Sequence, residues 1–430
     1  MQKRPSFQRT AHRSGYMDSV KQHLLFIGAV WPEPNSSAGG IRMMHLLHLF
    51  LSRNWRITFA CVAAEGEFSS DLLALGIEKA EIELNSDSFD VFVTNLNPNV
   101  VLFDRFMMEE QFGWRVAQAC PNAMRIIETI DLHCLRLSRQ QVLKTGGDLN
   151  SLLLNSEIAK RELAAIYRSD LSLIISDAEL MLLKTVFKMD DHLLFHFPYY
   201  VPALSENDIQ VMPSFEEREH FVTIGNFKHE PNWDSVRYLK EVVWPLIRQK
   251  MPTAILHVYG SYASPKVNQL HQPKEGFFIM GRAEDAEEVV RKARVCLAPL
   301  RFGAGIKGKL SQAMRCGTPS VTTAIGAEGM HGNLPWNGII ADAAETFATA
   351  AVHLYSDKTQ WQKAQTQGFD LIALRFSNKV DEQLLIDKIT EIQQNLMAHR
   401  ENNFIGSMLQ HHTLQSTKFM SKWIAEKNKA

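Results

Sequence analysis

From residue 23 onward, short apolar runs rich in β-branched and aromatic residues alternate with longer segments in which apolar residues recur every three or four positions. Runs of the first kind predict strands, and segments of the second kind predict helices. Because helix-length segments rather than short turns separate the strands, the pattern predicts βαβ units and mainly parallel sheets. The predicted strands of the first half are 24–30, 57–62, 91–94, 100–103, 125–129, 171–175 and 193–197.

This alternation stops after residue 199, where Pro202, Pro213 and a polar, acidic stretch fit neither pattern, as is typical of a linker between domains. It then resumes, with predicted strands at 221–224, 254–259, 277–280, 295–299, 320–322 and 338–341. The predicted fold class is therefore α/β, with two Rossmann-like doubly wound domains. The predicted boundaries are a flexible leader at 1–20, domains at 21–200 and 220–376 joined by a linker at 201–219, a crossing helix at 377–400 and a tail at 401–430.

Composition and charge narrow the class of protein. The chain has 430 residues, 45% hydrophobic and 22% charged, which is ordinary for a folded globular protein. Its 46 basic residues nearly balance its 47 acidic ones, so a surface that coats nucleic acid is not predicted. The five scattered cysteines, without a CxxC pair, favour reduced thiols in the cytoplasm. The leader has no apolar core typical of a signal peptide, and no apolar run approaches the roughly 20 residues of a spanning helix.

The tail at 401–430 mixes bulky apolar residues, among them Phe419 and Trp423, with several lysines. One interpretation is a basic amphipathic helix that touches an anionic membrane, which would place the protein at the inner membrane surface. The other is a solvated tail or a docked terminal helix. The second is favoured, and peripheral membrane contact is kept as the alternative.

The segment at 295–319, VCLAPLRFGAGIKGKLSQAMRCGTP, predicts a buried strand, a glycine-rich turn and a helix. Gly303 and Gly305 let the backbone approach a ligand closely, and the free amides at the start of the helix favour an anion. Arg301 and Lys307 flank the turn. Two cations at this position can neutralise a diphosphate and stabilise its departure in place of a metal ion.

Metal ions and dinucleotides are alternative ligands for such a segment. The sequence has no Asp-x-Asp pair at a strand end, no HExxH motif and no Cys/His cluster at metal-ligand spacing, so no metal site is predicted. Residues 303–308 also satisfy the GxGxxG pattern of dinucleotide-binding proteins, with Glu328 near the distance of a ribose-binding acid. That pattern normally follows the first strand of its domain, whereas here it follows the fourth. A nicotinamide-dependent enzyme is therefore the weaker interpretation.

Three segments of the second domain, in this order, resemble the GT-B-fold retaining glycosyltransferases of the group-one (family 4) type. Residues 224–232 (IGNFKHEPN) resemble the first strand and loop of the donor domain, 298–314 the diphosphate-binding turn and helix, and 322–330 the next donor-side loop. In the first domain, residues 32–42 resemble the glycine loop that faces the donor phosphates, and 128–136 resemble the strand end that presents a histidine to the sugar.

The resemblance implies a first domain that holds the acceptor, a second that holds the donor, and a set of site residues. For His133 the alternative is a structural role at a helix start, and for Glu328 it is helix capping. The residues implied for diphosphate binding are Gly39, Gly40, Gly303, Gly305 and Ile306. Those implied for the nucleotide or sugar are Gly225, Asn226, Gln312 and Glu328, and those implied for catalysis are Arg301, Lys307 and His133.

The chain departs from the family at one place. Proteins of this type commonly carry two glutamates eight positions apart in the turn and helix, where this chain has Ala304 and Gln312. The Gln312 carbonyl can still accept a hydrogen bond from a ribose hydroxyl, but it lacks the charge that strengthens such a bond. Either donor affinity falls or the sugar contact has moved.

The activity implied by the resemblance is metal-independent transfer of a sugar, with retention, from a UDP- or GDP-linked donor, without other cofactors. The acceptor would be a saccharide or a lipid-linked saccharide, in polysaccharide or glycoconjugate synthesis. Two alternatives stay open. A nucleotide-sugar epimerase would release an altered nucleotide sugar without an acceptor, and a degenerate protein would bind the donor without turnover.

Overall fold

The structure is a computed structural model that describes residues 21–429, without the side chains of 412–415. The predicted leader at 1–20 lies outside the described residues. The strands are β1 His23–Gly28, β2 Arg56–Cys61, β3 Glu78–Glu81, β4 Val100–Asp104, β5 Met124–Glu128, β6 Leu171–Ile174, β7 Leu194–His196, β8 Glu219–Ile224, β9 Leu256–Tyr259, β10 Phe277–Gly281, β11 Ala293–Ala298, β12 Ser320–Thr322 and β13 Gly338–Ile340.

Helices separate these strands and cover both sheets. The helices are α1 Ala38–Ser52, α2 Ser88–Leu96, α3 Arg105–Ala119, α4 His133–Thr145, α5 Leu149–Asn155, α6 Glu157–Arg168, α7 Asp177–Thr185, α8 Glu206–Gln210, α9 Glu230–Tyr238, α10 Trp244–Lys250, α11 Pro265–Asn268, α12 Ala286–Lys292, α13 Gly308–Arg315, α14 Ala324–Ala327, α15 Ala344–Ser356, α16 Lys358–Leu371, α17 Val380–Gln394, α18 Leu396–Glu401 and α19 Phe404–Lys429. Within residues 21–429, no helix combines the length and the apolar character needed to cross a membrane.

Each domain is built on one sheet of parallel strands. The first sheet has the order β3-β2-β1-β4-β5-β6-β7, and the second has the order β10-β9-β8-β11-β12-β13. In both sheets the strand order reverses beside the first strand of the domain, between β1 and β4 and between β8 and β11. Ligands of such folds bind outside the carboxyl ends of the strands at this reversal. The predicted pair of doubly wound α/β domains is confirmed.

One predicted strand is wrong. Residues 91–94 belong to α2, in which Phe89 and Val93, four positions apart, are buried on one face. The missed strand is β3, which pairs only with β2 at the edge of the sheet and whose two terminal glutamates are exposed. An edge strand can be partly solvated, so its sequence, Glu-Lys-Ala-Glu, carries no apolar alternation that would predict it.

The chain returns to the first domain after completing the second. The Val201 amide donates to the Phe376 carbonyl (2.8 Å), so the two connections between the domains run side by side. Beyond them, α17 buries Leu385, Ile389 and Ile392 in the hydrophobic core of the first domain. The predicted crossing helix thus corresponds to α17 and α18, and the predicted tail forms the long helix α19.

A buried ion pair fixes the edge of the first domain that faces the second. The Arg42 Nη2 of α1 lies 2.9 Å from the Glu128 Oε2 of β5, and both side chains are fully buried. Arg42 also donates to the carbonyls of Phe197 and Pro198, at 2.8 and 2.7 Å. The Ile130 amide donates to the other Glu128 oxygen (3.0 Å). These bonds join α1, the end of β5 and the segment that follows β7.

Candidate active site

The predicted glycine turn connects β11 to α13 and touches the first domain. Gly305 has φ 64°, in the left-handed region that favours glycine. A Cβ at Gly305 would lie 2.9 Å from both the Ile130 carbonyl oxygen and the Asp131 Cβ, so any other residue would require the turn or the facing backbone to shift. Ile306 packs with Tyr199 and Met330 in a hydrophobic cluster. The turn therefore lies at the contact of the two sheets' carboxyl edges.

The helices α1 and α13 begin next to each other across this contact. A Cβ at Gly308 would lie 2.5 Å from the Ala38 Cβ. Gly40 leaves no room for a side chain beside the Glu33 carbonyl, whereas a Cβ at Gly39 would meet only the Ile130 Cδ1, at 3.7 Å. Two adjacent helix N-termini concentrate positive potential and unpaired amides at one place, which favours an anion.

Lys307 places a buried charge at the start of α13. Its ammonium donates to the Gly305 carbonyl (2.8 Å). Burial lowers the pKa of Lys307 to about 8, although the charges of Glu328 and Glu179 oppose this shift. A lysine with this pKa is still mostly protonated at neutral pH. Lys307 is thus a buried cation that the Gly305 carbonyl holds beside the turn, with Glu328 and Glu179 nearby.

Lys309 is a second cation of α13, which the sequence interpretation missed. The surrounding protein lowers the pKa of Lys309 to about 8. In the part of the chain that the structure describes, its ammonium has no hydrogen bond and no ion pair, and the amides of Gly308 and Lys309 have no acceptor. Its spacing of two residues from Lys307 beside the glycine turn is a signal that could have indicated it.

The side chain of Arg301 points toward α9. Its Nε donates to the Asp234 Oδ2 (2.9 Å), and its Nη2 contacts the other carboxylate oxygen. The guanidinium also lies 4.6 Å from the centre of the Tyr238 ring. Asp234 therefore neutralises the charge of Arg301, and the role of Arg301 at a donor phosphate stays a prediction that requires release from this pair.

Glu328 forms an ion pair with Arg139 of the first domain. Arg139, on α4, donates to both Glu328 carboxylate oxygens, at 2.7 and 2.6 Å, and to the Gly303 carbonyl, at 2.8 Å. Glu328 directly follows α14, so it does not cap a helix start. Since α4 belongs to the first domain, Arg139 ties both the glycine turn and the next donor-side loop to that domain. No spacing of residues along the chain indicates this pair.

Arg139→Ala should loosen the contact between the domains. The pair is partly exposed, so its loss should shift the closed-to-open ratio about fivefold, equivalent to ~1 kcal/mol. Small-angle X-ray scattering without donor should then show a larger radius of gyration. The matched control is Arg161→Ala, which breaks an exposed pair with Glu110 within the first domain. Identical scattering of the wild-type protein and the Arg139 variant would show that the ion pair does not hold the domains together.

A carboxyl group already occupies the amide of the glycine turn. Glu179, on α7 of the first domain, accepts from the Leu132 amide (2.8 Å) and the Gly305 amide (2.9 Å) through the same oxygen. Its other oxygen is buried without a hydrogen-bond partner among the described residues. Burial, with the nearby charge of Asp131, raises the pKa of Glu179 to about 8. Glu179 thus occupies the hydrogen-bonding position at the Gly305 amide.

His133 lies at this contact and also begins a helix. Its Nε2 is 3.3 Å from the Asp131 Oδ1, and its amide donates to the Glu162 carboxylate (2.9 Å) at the start of α4. Hydrogen bonds from His133 and Arg136 hold the pKa of Asp131 well below its usual range, although burial alone would raise it. His229, in the loop after β8, faces the same charges, and its surroundings lower its pKa to about 4. His133 therefore contacts Asp131, and His229 of the second domain is close enough to feel the same charge.

The other predicted residues shape the second domain beside the turn. Gly225 follows β8, and a Cβ there would lie 2.8 Å from the Asn232 amide group. The Asn226 carbonyl accepts from the same Asn232 side chain (2.9 Å). Gln312 is partly exposed on α13, and no described residue bonds to its side chain. Ala304 packs on a hydrophobic cluster of the first domain, where a glutamate side chain would be poorly solvated.

Comparison with known proteins shows which family the second domain is similar to. Residues 218–357 match the family described as glycosyl transferases group 1. No curated protein matches the chain significantly. The GT-B fold and this match agree with the resemblance found in the sequence. The chain therefore has the GT-B fold, and residues 218–357 of its second domain are similar to the group 1 glycosyl transferases.

Solved structures resemble nearly the whole chain. Sucrose-phosphate synthase from Thermosynechococcus elongatus is 15% identical, with a TM-score of 0.62, over 88% of this chain and 100% of that one. A glycosyltransferase from Rickettsia africae is 13% identical, with a TM-score of 0.63, over 87% and 99%. HepE from Anabaena, solved with UDP and glucose, is 13% identical, with a TM-score of 0.61, over 85% and 99%. These similarities show the shared fold.

Proposed function

We propose that this protein is a glycosyltransferase that moves a sugar from a nucleoside-diphosphate sugar to an acceptor hydroxyl. The donor diphosphate would lie beside the adjacent starts of α1 and α13. The observation that carries the proposal is the buried Lys307 and the unpaired Lys309 beside free amides, at the place where the two domains meet. An unpaired buried cation is costly unless an anion neutralises it.

The chemistry that these groups favour is departure of a diphosphate. As the bond from the anomeric carbon to the phosphate oxygen breaks, negative charge grows on the phosphate and positive charge on the sugar. Lys307, Lys309 and the amides at the start of α13 are placed to stabilise the growing negative charge. The acceptor oxygen then bonds to the anomeric carbon and its proton passes to a base. Retention, with the leaving phosphate as that base, is the expectation from the family resemblance.

The donor diphosphate would displace the Glu179 carboxyl group from the Gly305 amide. With a pKa of about 8, this carboxyl group is mostly neutral at pH 7, so a diphosphate competes for the Gly305 amide with a neutral acceptor. Charge-assisted hydrogen bonds are stronger than neutral ones, so the phosphate has the advantage. The exchange couples donor binding to a rearrangement of the contact between the domains.

A UDP-linked donor is the first candidate, because HepE and TarM, which share the fold, were solved with UDP, and a GDP-linked donor is the second. A saccharide or lipid-linked saccharide acceptor, and a role in polysaccharide or glycoconjugate synthesis, fit the likeness to WaaG, described as involved in lipopolysaccharide biosynthesis. The two lysines supply charge that a metal ion would otherwise provide, so we expect transfer to continue in EDTA.

A thermal-shift panel of nucleotide sugars tests donor binding. A donor present at 100 times its Kd should stabilise the native state by ~2.7 kcal/mol and raise the melting temperature. Chromatography of the products with and without sugar acceptors then separates a transferase from an epimerase. A melting temperature raised by NAD and by none of the nucleotide sugars would contradict the proposal, as would binding without any turnover.

Gln312→Glu should strengthen donor binding if this position contacts the ribose. A carboxylate accepts a stronger hydrogen bond than an amide carbonyl, so the Kd should fall about fivefold, equivalent to ~1 kcal/mol. Isothermal titration calorimetry measures the change, with Gln362→Glu on the exposed face of α16 as the control. Weaker binding by the Gln312 variant would show that the position serves another purpose.

A further inference from the structure

The long helix α19 is anchored to the first domain at its beginning. The Asn403 side chain donates to the Tyr167 carbonyl (2.7 Å), and the Gln410 side chain donates to the Arg168 carbonyl (3.1 Å). Gly406 lies so close to the Tyr167 carbonyl that a Cβ would not fit. The predicted docked terminal helix is therefore correct for this part of α19.

The last turns of α19 keep one side against the first domain and expose the other. Ser421 is buried and lies 3.2 Å from the Asn85 side-chain oxygen. Phe419, Met420 and Trp423 are 62, 60 and 61% exposed. Residues three or four positions apart are neighbours on a helix, so Phe419 and Met420 both lie beside Trp423, and the three side chains form one exposed apolar stripe. Large apolar side chains grouped in this way on a solvent-exposed surface commonly mark a contact with another protein or with a membrane.

The charge beside this stripe identifies its partner. Residues 416–430 contain four lysines and one glutamate, a side-chain charge of +3 in a chain whose net charge is −1. The Lys427 ammonium lies 5.3 Å from the centre of the Trp423 ring. Aromatic rings and lysines together suit the boundary between lipid headgroups and acyl chains. Association with a second copy through the same surface is disfavoured, because it would bring two positively charged patches together.

We propose that the exposed stripe of α19 binds the protein to an anionic membrane surface. The rings of Phe419 and Trp423 enter the headgroup region, and the neighbouring lysines attract anionic phospholipids. Because α19 is docked on the first domain, binding places that domain beside the membrane. This proposal does not depend on the proposed sugar transfer.

Co-sedimentation of the full chain with vesicles tests the proposal. The protein should bind vesicles of phosphatidylcholine with phosphatidylglycerol, and should bind pure phosphatidylcholine at least tenfold more weakly. The double variant Phe419→Ser/Trp423→Ser should lose at least tenfold in binding. The variant Lys422→Glu/Lys429→Glu, which alters only exposed charges, should lose about as much, since each lysine contributes about fivefold. Added salt should weaken binding of the wild-type protein.

The matched control is Leu73→Ser/Val211→Ser, which removes two equally exposed apolar side chains elsewhere. Equal losses in the control and the α19 variants would overturn the proposal. So would failure to bind anionic vesicles, or light scattering that shows a dimer dissociated by Phe419→Ser/Trp423→Ser. Circular dichroism checks folding, and unchanged vesicle binding by a folded Lys422→Glu/Lys429→Glu variant would also overturn it.

Discussion

Lys307→Ala should lower the rate of sugar transfer by about 100- to 1,000-fold, the usual effect of removing one group that stabilises charge on a leaving group. The ammonium is buried where the domains meet, so no solvent cation can readily replace it. Because the charge acts most strongly on the departing phosphate, kcat should fall more than donor affinity. Initial rates with the donor found by thermal shift provide the measurement.

The controls separate charge from structure. Lys266→Ala removes an exposed lysine of the same domain and should leave the rate unchanged. Lys307→Met keeps most of the side chain's volume without its charge and should be as slow as the alanine variant. The rate of Lys309→Ala shows whether the second lysine also stabilises charge on the leaving phosphate. Wild-type turnover by a folded Lys307→Met variant would exclude Lys307 from the leaving-group site.

Glu128→Ala should destabilise the first domain by ~3–5 kcal/mol, because it leaves the buried Arg42 guanidinium without its counter-charge. The carbonyls of Phe197 and Pro198 and the Phe197 ring would remain near it, but they carry no counter-charge. Urea unfolding of the wild type and the variant, followed by fluorescence and circular dichroism, measures the difference. A two-domain chain need not unfold in one step, so the transition of the first domain must be resolved.

An exposed pair and a double replacement make this test specific. Glu110→Ala breaks an exposed pair with Arg161, and its loss should cost less than ~1 kcal/mol. Arg42→Met/Glu128→Leu replaces both buried charges with apolar groups and should destabilise less than Glu128→Ala. If Glu128→Ala and Glu110→Ala were equally stable, the buried pair would contribute no more than a surface pair.

The sequence predicted the fold because strand and helix periodicities are local. The prediction missed β3, because this edge strand lacks an apolar pattern. It was also wrong at α2, because the buried helix face of Phe89 and Val93 resembles the alternation of a strand. The glycine turn and Lys307 were also predicted, because a turn, its cations and the following helix lie within a few residues of one another.

Apart from Lys309, the site contacts that the sequence did not indicate are those that cross between the domains. Arg139 and Glu328 are 189 positions apart, and Glu179 and Gly305 are 126 positions apart. No periodicity or motif in a single sequence links such positions. The same limit explains Arg301, whose partner Asp234 lies 67 positions earlier on a helix that shows only an amphipathic pattern.

The placement of α17 makes the first domain discontinuous in sequence. Its core contains Leu385, Ile389 and Ile392, which the ribosome delivers only after the whole second domain has been synthesised. The second domain can thus fold first. Until α17 is synthesised, part of the apolar core of the first domain stays exposed to water. A fragment cut at residue 200 would keep that gap, so an expressible version of the first domain needs residues 380–394 joined to it.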